Sequence, residues 1–432
     1  MMQSQSQNLT IPTSRRIFGR SDVQLLLLLF AGLMPLVVVW TGIRNLPLEN
    51  ALILNTLYAL ALAITAGWYV ISRLRSYAKT QQLTYVFPIN FLMFSTVLAV
   101  IAILRADYSA VLYFWGAVSA TTASFVLNVI NRGTRSLHFV IPGGRTDEIA
   151  LYGNFIAAPE LVELRSLLEA KRIDGAIVAD LHHDHPDEWE RLFAQAALKG
   201  IPVYHHRQIA EMQSGQVKIS HLSENDLGSL IPNAPYIPIK RLVDILAAVA
   251  LLPVCLVLFP IIALAIRLDS PGRVFFVQER VGFRGQPFRM FKFRTMLDLK
   301  AVPDCERESA MTKADDDRIT RIGRFLRKTR IDELPQIFNV LRGDMSLIGP
   351  RPEAMALSEW YEGELPFYSY RHIVRPGITG WAQVNQGHVT DVSDILSKLR
   401  YDFYYIKNIS LWLDLLIVLK TLRVVLTGSG AK

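Results

Sequence analysis

Cysteine is the scarcest chemically useful residue here, with two in 432 positions: Cys255 inside an apolar run and Cys305 in a polar stretch. Two such thiols give neither a disulfide framework nor thiolate metal-ligand spacing, and they suit a reducing compartment. Charge is also thin. Asp, Glu, Lys and Arg make up 19% of the chain against 51% hydrophobic residues, and none lies inside the long N-terminal apolar runs. That absence argues against an ion or solute pathway through them. A surplus of acid is missing as well. The formal net charge of +8 suits an anionic partner such as a phosphate or a lipid headgroup layer.

What is present is concentrated. Residues 23–43, 51–71, 87–104 and 110–130 are four apolar stretches, each about long enough to cross ~30 Å of hydrocarbon. The first runs too long for a signal peptide and lacks a small-x-small cleavage site. Arg15, Arg16 and Arg20 precede the first stretch, Arg73, Arg75 and Lys79 follow the second, and Arg132 and Arg135 follow the fourth. The positive-inside rule then predicts a cytoplasmic tail over residues 1–22 and a four-helix transmembrane bundle over 23–131 with both ends in the cytoplasm. This bundle reads as an anchor.

Residues 136–228 read as a Rossmann-like α/β domain. "LHFVIPGG", "DGAIVAD" and "GIPVYHH" are short β-branched runs, and "APELVELRSLLEAKR" between them has helical period. Gly143-Gly144-Arg145 after the first run is not a G-x-G-x-x-G and is expected to be a plain β–α turn. The adjacent residues of "HHDH" (His182, His183, Asp184, His185) splay apart in extended chain before Pro186, which predicts a solvated loop rather than a metal site.

Residues 242–266 form a fifth apolar stretch with basic flanks on both sides. Lys240 and Arg241 precede it, and Arg267, Arg273, Arg280 and Arg284 follow it. Neither flank favours translocation, and Pro253 at the middle removes a backbone hydrogen bond. The combination predicts a re-entrant helix that breaks at Pro253 and returns to the face it entered, with Lys240 and Arg241 reaching headgroups or a lipid phosphate.

Beyond it the chain is compact and basic. "QERVGFRGQPFRMFKFRTM" interleaves apolar residues with Arg289, Lys292 and Arg294. "RKTRIDELPQ" then sets Asp332 and Glu333 side by side after Arg327, Lys328 and Arg330. One reading is a helix start, with Thr329-x-x-Asp332 as a capping box. A helix is expected to open near Asp332 and to end at Gly343. Pro350-Arg351-Pro352 holds its arginine in stiff, extended chain suited to an oxyanion. In "RPGITGWAQVNQG", Gly377 and Gly380 flank Thr379 and precede Trp381, as in a nucleotide-contacting loop.

Taken together, "KRLVD", "KFRTM", "LRKTRIDELPQIFNVLRGDMSLIGPRP", "RPGITGWAQVN" and "YDFYYIKN" resemble, in order, the catalytic domain of the bacterial sugar transferases, the monotopic polyprenyl-phosphate hexose-1-phosphate transferases. The four spans and the α/β domain resemble the family's large form. The resemblance implies a re-entrant helix and a mainly α-helical catalytic domain over residues 236–432. It implies that Asp332 attacks a UDP-sugar to form a phosphosugar–aspartate, with UMP leaving and undecaprenyl phosphate taking the sugar phosphate. By the same match Glu333 serves beside it. Lys292, Arg294, Arg327, Arg351, Gln383 and Asn385 bind substrate, and Asp332, Glu333 and Asp402 hold Mg²⁺. The implied donor is a UDP-hexose, with UDP-glucose the expected sugar. The implied setting is the cytoplasmic face of a bacterial inner membrane, among membrane lipids, without nucleic acid and with a homodimer as the assembly left open. Where many members have Gly-Arg after "WAQVN", this chain has Gln386-Gly387-His388. Two alternatives stand beside this reading: a glycosyltransferase that moves only the sugar and releases UDP, and a non-enzymatic assembly protein.

Overall fold

A computed structural model describes residues 21–42, 51–74, 82–131, 138–146, 155–158, 160–170, 173, 175–218, 232, 235–297, 318–365, 367–386 and 392–427. The chain divides into two compact units, Met1–Ser214 and Gly215–Lys432. The expected α/β boundary at residue 228 therefore moves. Gly215–Lys218 belongs with the second unit, where the Trp381 indole donates to the Gly215 carbonyl at 2.9 Å and Val217 N–H donates to Arg400 at 3.0 Å.

In the first unit the apolar runs form helices α1 (Ser21–Gly42), α2 (Ala51–Leu74), α3 (Gln82–Leu104) and α4 (Ala110–Asn131). Three of them, α2 to α4, are long and apolar enough to cross a membrane, and α1 adds the apolar stretch Asp22–Val38. Leu28, Leu60, Ile64, Phe94, Tyr113 and Ala120 form their shared interior. Gly32 and Gly116 let α1 and α4 approach closely: a Cβ on Gly32 would strike Ile64, and one on Gly116 would meet Leu60 and the Gly32 carbonyl. Phe30, Phe91 and Ile103 point outward and are exposed, as lipid-facing side chains are. The chain is a membrane protein.

The α/β part holds a four-stranded parallel sheet: β1 (His138–Val140), β2 (Phe155–Ala157), β3 (Ile177–Ala179) and β4 (Val203–His205), in the order β2-β1-β3-β4. Helices α5 (Leu161–Glu169), α6 (Asp187–Leu198) and α7 (His206–Ser214) bury Leu164, Leu168, Leu192 and Ile209. The order reverses direction between β1 and β3, the switch at which open parallel sheets bind ligands at their carboxyl ends. The loop there differs from expectation. His182, His183 and Asp184 are exposed, but His185 is buried and its Nε2 meets the Asp180 carbonyl at 3.0 Å.

The second unit begins with α8 (Tyr236–Asp269), which continues as one helix through Pro253 and Pro260 instead of breaking into two. The two basic residues at its start bind protein groups. Lys240 Nζ reaches Asp414 Oδ2 at 2.8 Å, and Arg241 donates to the Val340 and Leu341 carbonyls at 2.6 and 3.0 Å. Asp244 accepts from Ser346 Oγ at 2.7 Å. At the far end Asp269 accepts from Ile322 N–H at 3.0 Å, and Ile262 and Ile266 pack with Phe293 and Leu326. Both ends of a helix about 51 Å long are thus tied to one core.

That core contains the hairpin β5 (Phe275–Val281) and β6 (Pro287–Phe293), then α9 (Arg321–Thr329), a 3-10 turn (Ile331–Glu333), α10 (Gln336–Arg342) and β7 (Ser346–Ile348). It continues through α11 (Met355–Glu364), a 3-10 turn (Tyr368–Ile373), β8 (Gly377–Thr379), α12 (Trp381–Asn385), α13 (Val392–Lys407) and α14 (Leu411–Thr427). Gly343, at φ 101°, closes α10 as its sequence position predicts. Two charges of α14 are turned inward while Arg423 is exposed: Asp414 is buried, and Lys420 donates to Asn385 Oδ1 at 2.6 Å while lying over the Trp381 ring.

Candidate active site

The turn that carries Asp332 is not capped as the sequence suggests. Thr329 Oγ1 donates backward to the Phe325 and Leu326 carbonyls at 2.9 and 3.2 Å, so no capping box forms. Arg330 instead ends α9 in the left-handed region, at φ 60°. That conformation costs a non-glycine residue roughly 1 kcal/mol, and it swings the chain into the 3-10 turn that buries both carboxyls.

The two neighbours then diverge. Glu333 Oε1 collects three cations: Arg351 Nη2 at 2.8 Å, Lys292 Nζ at 3.3 Å and Arg330 Nη1 at 3.6 Å. Burial pushes its pKa up, but these cations, Arg351 foremost, hold it well below the usual carboxylate range. Asp332 is raised, first by burial and then by the Glu333 charge, against the pull of Lys292 and Arg351. Its Oδ1 is buried and accepts no hydrogen bond among the described residues. An orphaned carboxylate oxygen beside bound cations is poised for a new electrophile or a cation.

A small open cleft is lined by Arg280, Met290, Lys292, Gln336, Arg351 and Pro352. Three of these side chains are cationic, which suits an anionic ligand group. Glu333 reaches the cleft through Lys292 and Arg351, which it holds. Period-two alternation explains the cations. The β5–β6 register sets Gln278 opposite Met290 and Arg280 opposite Phe288, so Arg280 and Lys292 share a face, while Arg289 pairs with exposed Glu279 on the other. Arg280 and Gln336 are the residues that sequence reasoning missed. The signal for Arg280 was this face, visible once the hairpin register is fixed.

The Arg351 turn is held from behind. Arg371 Nη2 donates to the Arg351 carbonyl at 2.9 Å and Arg280 Nη1 to the Pro352 carbonyl at 3.2 Å. Arg371 also grips Asp402 Oδ2 through Nε and Nη2 at 3.1 and 2.8 Å, with Tyr368 Oη at 2.6 Å from Nη1. Asp402, expected as a metal ligand, is therefore committed to a buried guanidinium and supports the turn instead. Glu353, paired with Lys398 and near Arg371, completes this network. Burial pushes its carboxyl up, but Lys398 and Arg371 hold it at about 2.

Other expected contacts lie elsewhere. Arg294 donates to Ser270 and Pro271 carbonyls at 2.7 Å each, and so fastens the end of α8 rather than a phosphate. Arg327 donates to Thr295 Oγ1 at 2.9 Å. Gln383 donates to the Ile378 carbonyl at 3.2 Å, and Asn385 ties Trp381 to Lys420; neither lines the cleft. Gly377 and Gly380 are required by packing: a Cβ on either would collide with the Gly349 backbone. Gln386 Nε2 donates to the Asp394 carbonyl at 2.9 Å, while Gly387 and His388 lie outside the described residues.

Asn339, fully buried on α10, joins the Asp332 segment to the hairpin. Its Oδ1 accepts from Phe291 N–H at 3.1 Å and its Nδ2 donates to the Arg289 carbonyl at 2.7 Å.

An apolar helix tied at both ends to a cationic core, with an unequal acid pair whose cations line a small cleft, fits a membrane enzyme that handles anionic groups. The chain belongs to the bacterial sugar transferase family, whose profile matches residues 236–428. It is 44% identical over 390 residues, 89% of each chain, to the UDP-N-acetylgalactosamine-undecaprenyl-phosphate N-acetylgalactosaminephosphotransferase of Aeromonas hydrophila. Over 194 residues, 44% of this chain and 71% of the relative, it is 45% identical to the UDP-glucose:undecaprenyl-phosphate glucose-1-phosphate transferase of Caulobacter vibrioides. An Escherichia coli (strain K12) protein of the same name is 42% identical over 187 residues, 42% of this chain and 39% of that one.

Proposed function

We propose that this chain transfers a hexose-1-phosphate from a UDP-hexose to undecaprenyl phosphate at the cytoplasmic face of a bacterial inner membrane, through a phosphosugar–aspartate. The observation that carries the proposal is the orphaned Oδ1 of Asp332 beside a Glu333 whose Oε1 is held by cations. Asp332 attacks the β-phosphorus, and the bond from that phosphorus to the bridging oxygen breaks, so that UMP departs with the electron pair. An oxygen of undecaprenyl phosphate then attacks the same phosphorus and expels the Asp332 carboxylate. Splitting one transfer into two displacements is the use of a covalent nucleophile. Lys292, Arg351 and Arg280 offset the repulsion between a carboxylate and a diphosphate, and Glu333 fixes the first two in place before substrate arrives.

Mg²⁺ fits the donor set in part. Asp332 with Glu333 offers hard oxygen ligands that suit an ion retaining water and binding substrate phosphates, whereas Asp402 is spent on Arg371. Bound there, the ion would neutralise diphosphate charge. That α8 does not cross the membrane draws support from the attachment of Lys240, Arg241, Asp244 and Asp269 to one core, since a straight crossing would separate its ends by ~30 Å of hydrocarbon, while the break expected at Pro253 does not form. For the sugar, the relative matched over 89% of both chains is named for N-acetylgalactosamine, and two of the matches confined to the C-terminal half are named for glucose.

Membranes containing the full chain, given UDP-N-acetylgalactosamine or UDP-glucose and undecaprenyl phosphate, should release UMP. Without lipid phosphate, a hexose-phosphate mass should appear on a peptide spanning residues 331–341 and vanish in Asp332→Asn, with turnover down at least ~10³-fold. Release of UDP, or near-normal turnover by Asp332→Asn, would sink the covalent proposal.

A further inference from the structure

The α/β domain has no part in the chemistry above, yet it gathers a second buried set of polar side chains. Asp180 follows β3, and His205 and His206 end β4 and open α7. One ligand atom from each lies within 4.8 Å of the others, and all three residues are buried. His205 Nε2 stands 3.3 Å from Asp180 Oδ1, and His206 Nδ1 stands 3.8 Å from the same oxygen. A third imidazole arrives from the exposed loop, with His182 Nδ1 at 2.8 Å from His205 Nε2.

We infer that Asp180, His205 and His206, with His182 as the fourth ligand, form a site for a divalent transition metal of the zinc class. The donor set of one carboxylate and three imidazoles matches borderline ions and not Mg²⁺ or Ca²⁺, which prefer oxygen alone. Placement agrees. The cluster lies at the carboxyl ends of β3 and β4, with the turn after β1 against it, at the switch where the strand order reverses.

The same geometry excludes a phosphate at the Gly143–Arg145 turn. Asp180 already occupies it: Arg145 N–H donates to Oδ2 at 2.9 Å and His182 N–H to Oδ1 at 3.2 Å. A Cβ on Gly144 would collide with that carboxylate, so the glycine is there to admit it.

Metal uptake requires two local adjustments. Donors on one zinc stand about 3.3 Å apart at Zn–N bonds of ~2.0–2.1 Å, so His182, on the exposed loop, must move out slightly. Nδ1 of His205 accepts Arg207 N–H at 3.1 Å, which places the ring proton on Nε2. Binding at Nε2 shifts that proton to Nδ1 and opens the Arg207 contact.

The test uses the untagged full chain in detergent, stripped with chelator and titrated with Zn²⁺ and with Co²⁺. One ion should bind per chain, with a four-coordinate Co²⁺ visible spectrum and a raised melting temperature. Binding should persist in Asp332→Asn, which separates this site from the catalytic acids. Asp180→Asn and a His205→Gln/His206→Gln pair should keep the secondary structure by circular dichroism and weaken Zn²⁺ binding at least ~100-fold, whereas His183→Ala should bind as wild type. No stoichiometric binding by wild type, or unchanged binding by the folded double variant, would overturn the inference.

Discussion

Two buried ionic clusters lie on either side of the Arg351 turn, and they are built from the same residue types. In front, Asp332 and Glu333 meet Lys292, Arg351 and Arg330. Behind, Asp402 and Glu353 meet Arg371 and Lys398. Both hold an acid whose pKa burial raises, Asp332 and Asp402. The difference is where spare capacity sits. Asp402 receives two guanidinium hydrogen bonds on one oxygen, while Asp332 keeps a buried oxygen that receives none. Lys292 and Arg351 of the front cluster line a cleft together with Arg280, which also donates to the Pro352 carbonyl. A buried ion network with an unsatisfied member near such a cleft keeps capacity for a ligand; a satisfied one is scaffold.

The comparison is broken most directly at Asp402. Asp402→Asn leaves Arg371 buried without its anionic partner and should lower stability by about 3–5 kcal/mol, read as a fall in the melting temperature of the detergent-solubilised chain. An unchanged melting temperature with a weakened Mg²⁺ dependence would return Asp402 to the metal-ligand role. Glu333→Gln sharpens the front cluster. Maximal turnover should drop on the order of 10–100-fold. The pH profile carries the sign. Glu333 raises the Asp332 pKa, so removing its charge lowers that pKa and leaves Asp332 ionised to lower pH. The acid limb of kcat/KM should therefore move to lower pH, and a move to higher pH would contradict the coupling between the two carboxylates. Thr329→Val is the smallest change. With the hydroxyl folded back on α9, stability should shift by no more than about 0.5 kcal/mol. A loss near ~1 kcal/mol, the usual cost of deleting a helix cap, would revive the capping box.

Much of this could be read from the chain before folding. The apolar runs are helices, "DGAIVAD" and "GIPVYHH" contain β3 and β4, and Gly343 ends α10. Asp332, Glu333, Lys292 and Arg351 do meet. What stayed hidden depends on distant partners. Asp402 and Asp332 are alike until Arg371, 31 residues from Asp402, is placed. Arg294 looks like its neighbour Lys292, but the strand ends at Phe293 and its side chain turns to Ser270. The strand Phe155–Ala157 is three residues long, too short to show a period. "HHDH" looks like solvated loop because the acid and imidazoles that face it come from Asp180 and from His205 onward.

Asn339 occupies its position for a reason that concerns alignment. Its side-chain amide binds the carbonyl before Met290 and the N–H after it, the pattern a parallel strand presents to one residue of its neighbour. A single side chain thus stands in for a third strand along the edge of β6. Slippage of the helix against the hairpin by one residue would break both bonds at once and move Glu333 out of line with Lys292. The amide acts as an indexing pin: it holds the segment that follows Asp332 and Glu333 and the strand bearing Lys292 in the one alignment at which they face each other.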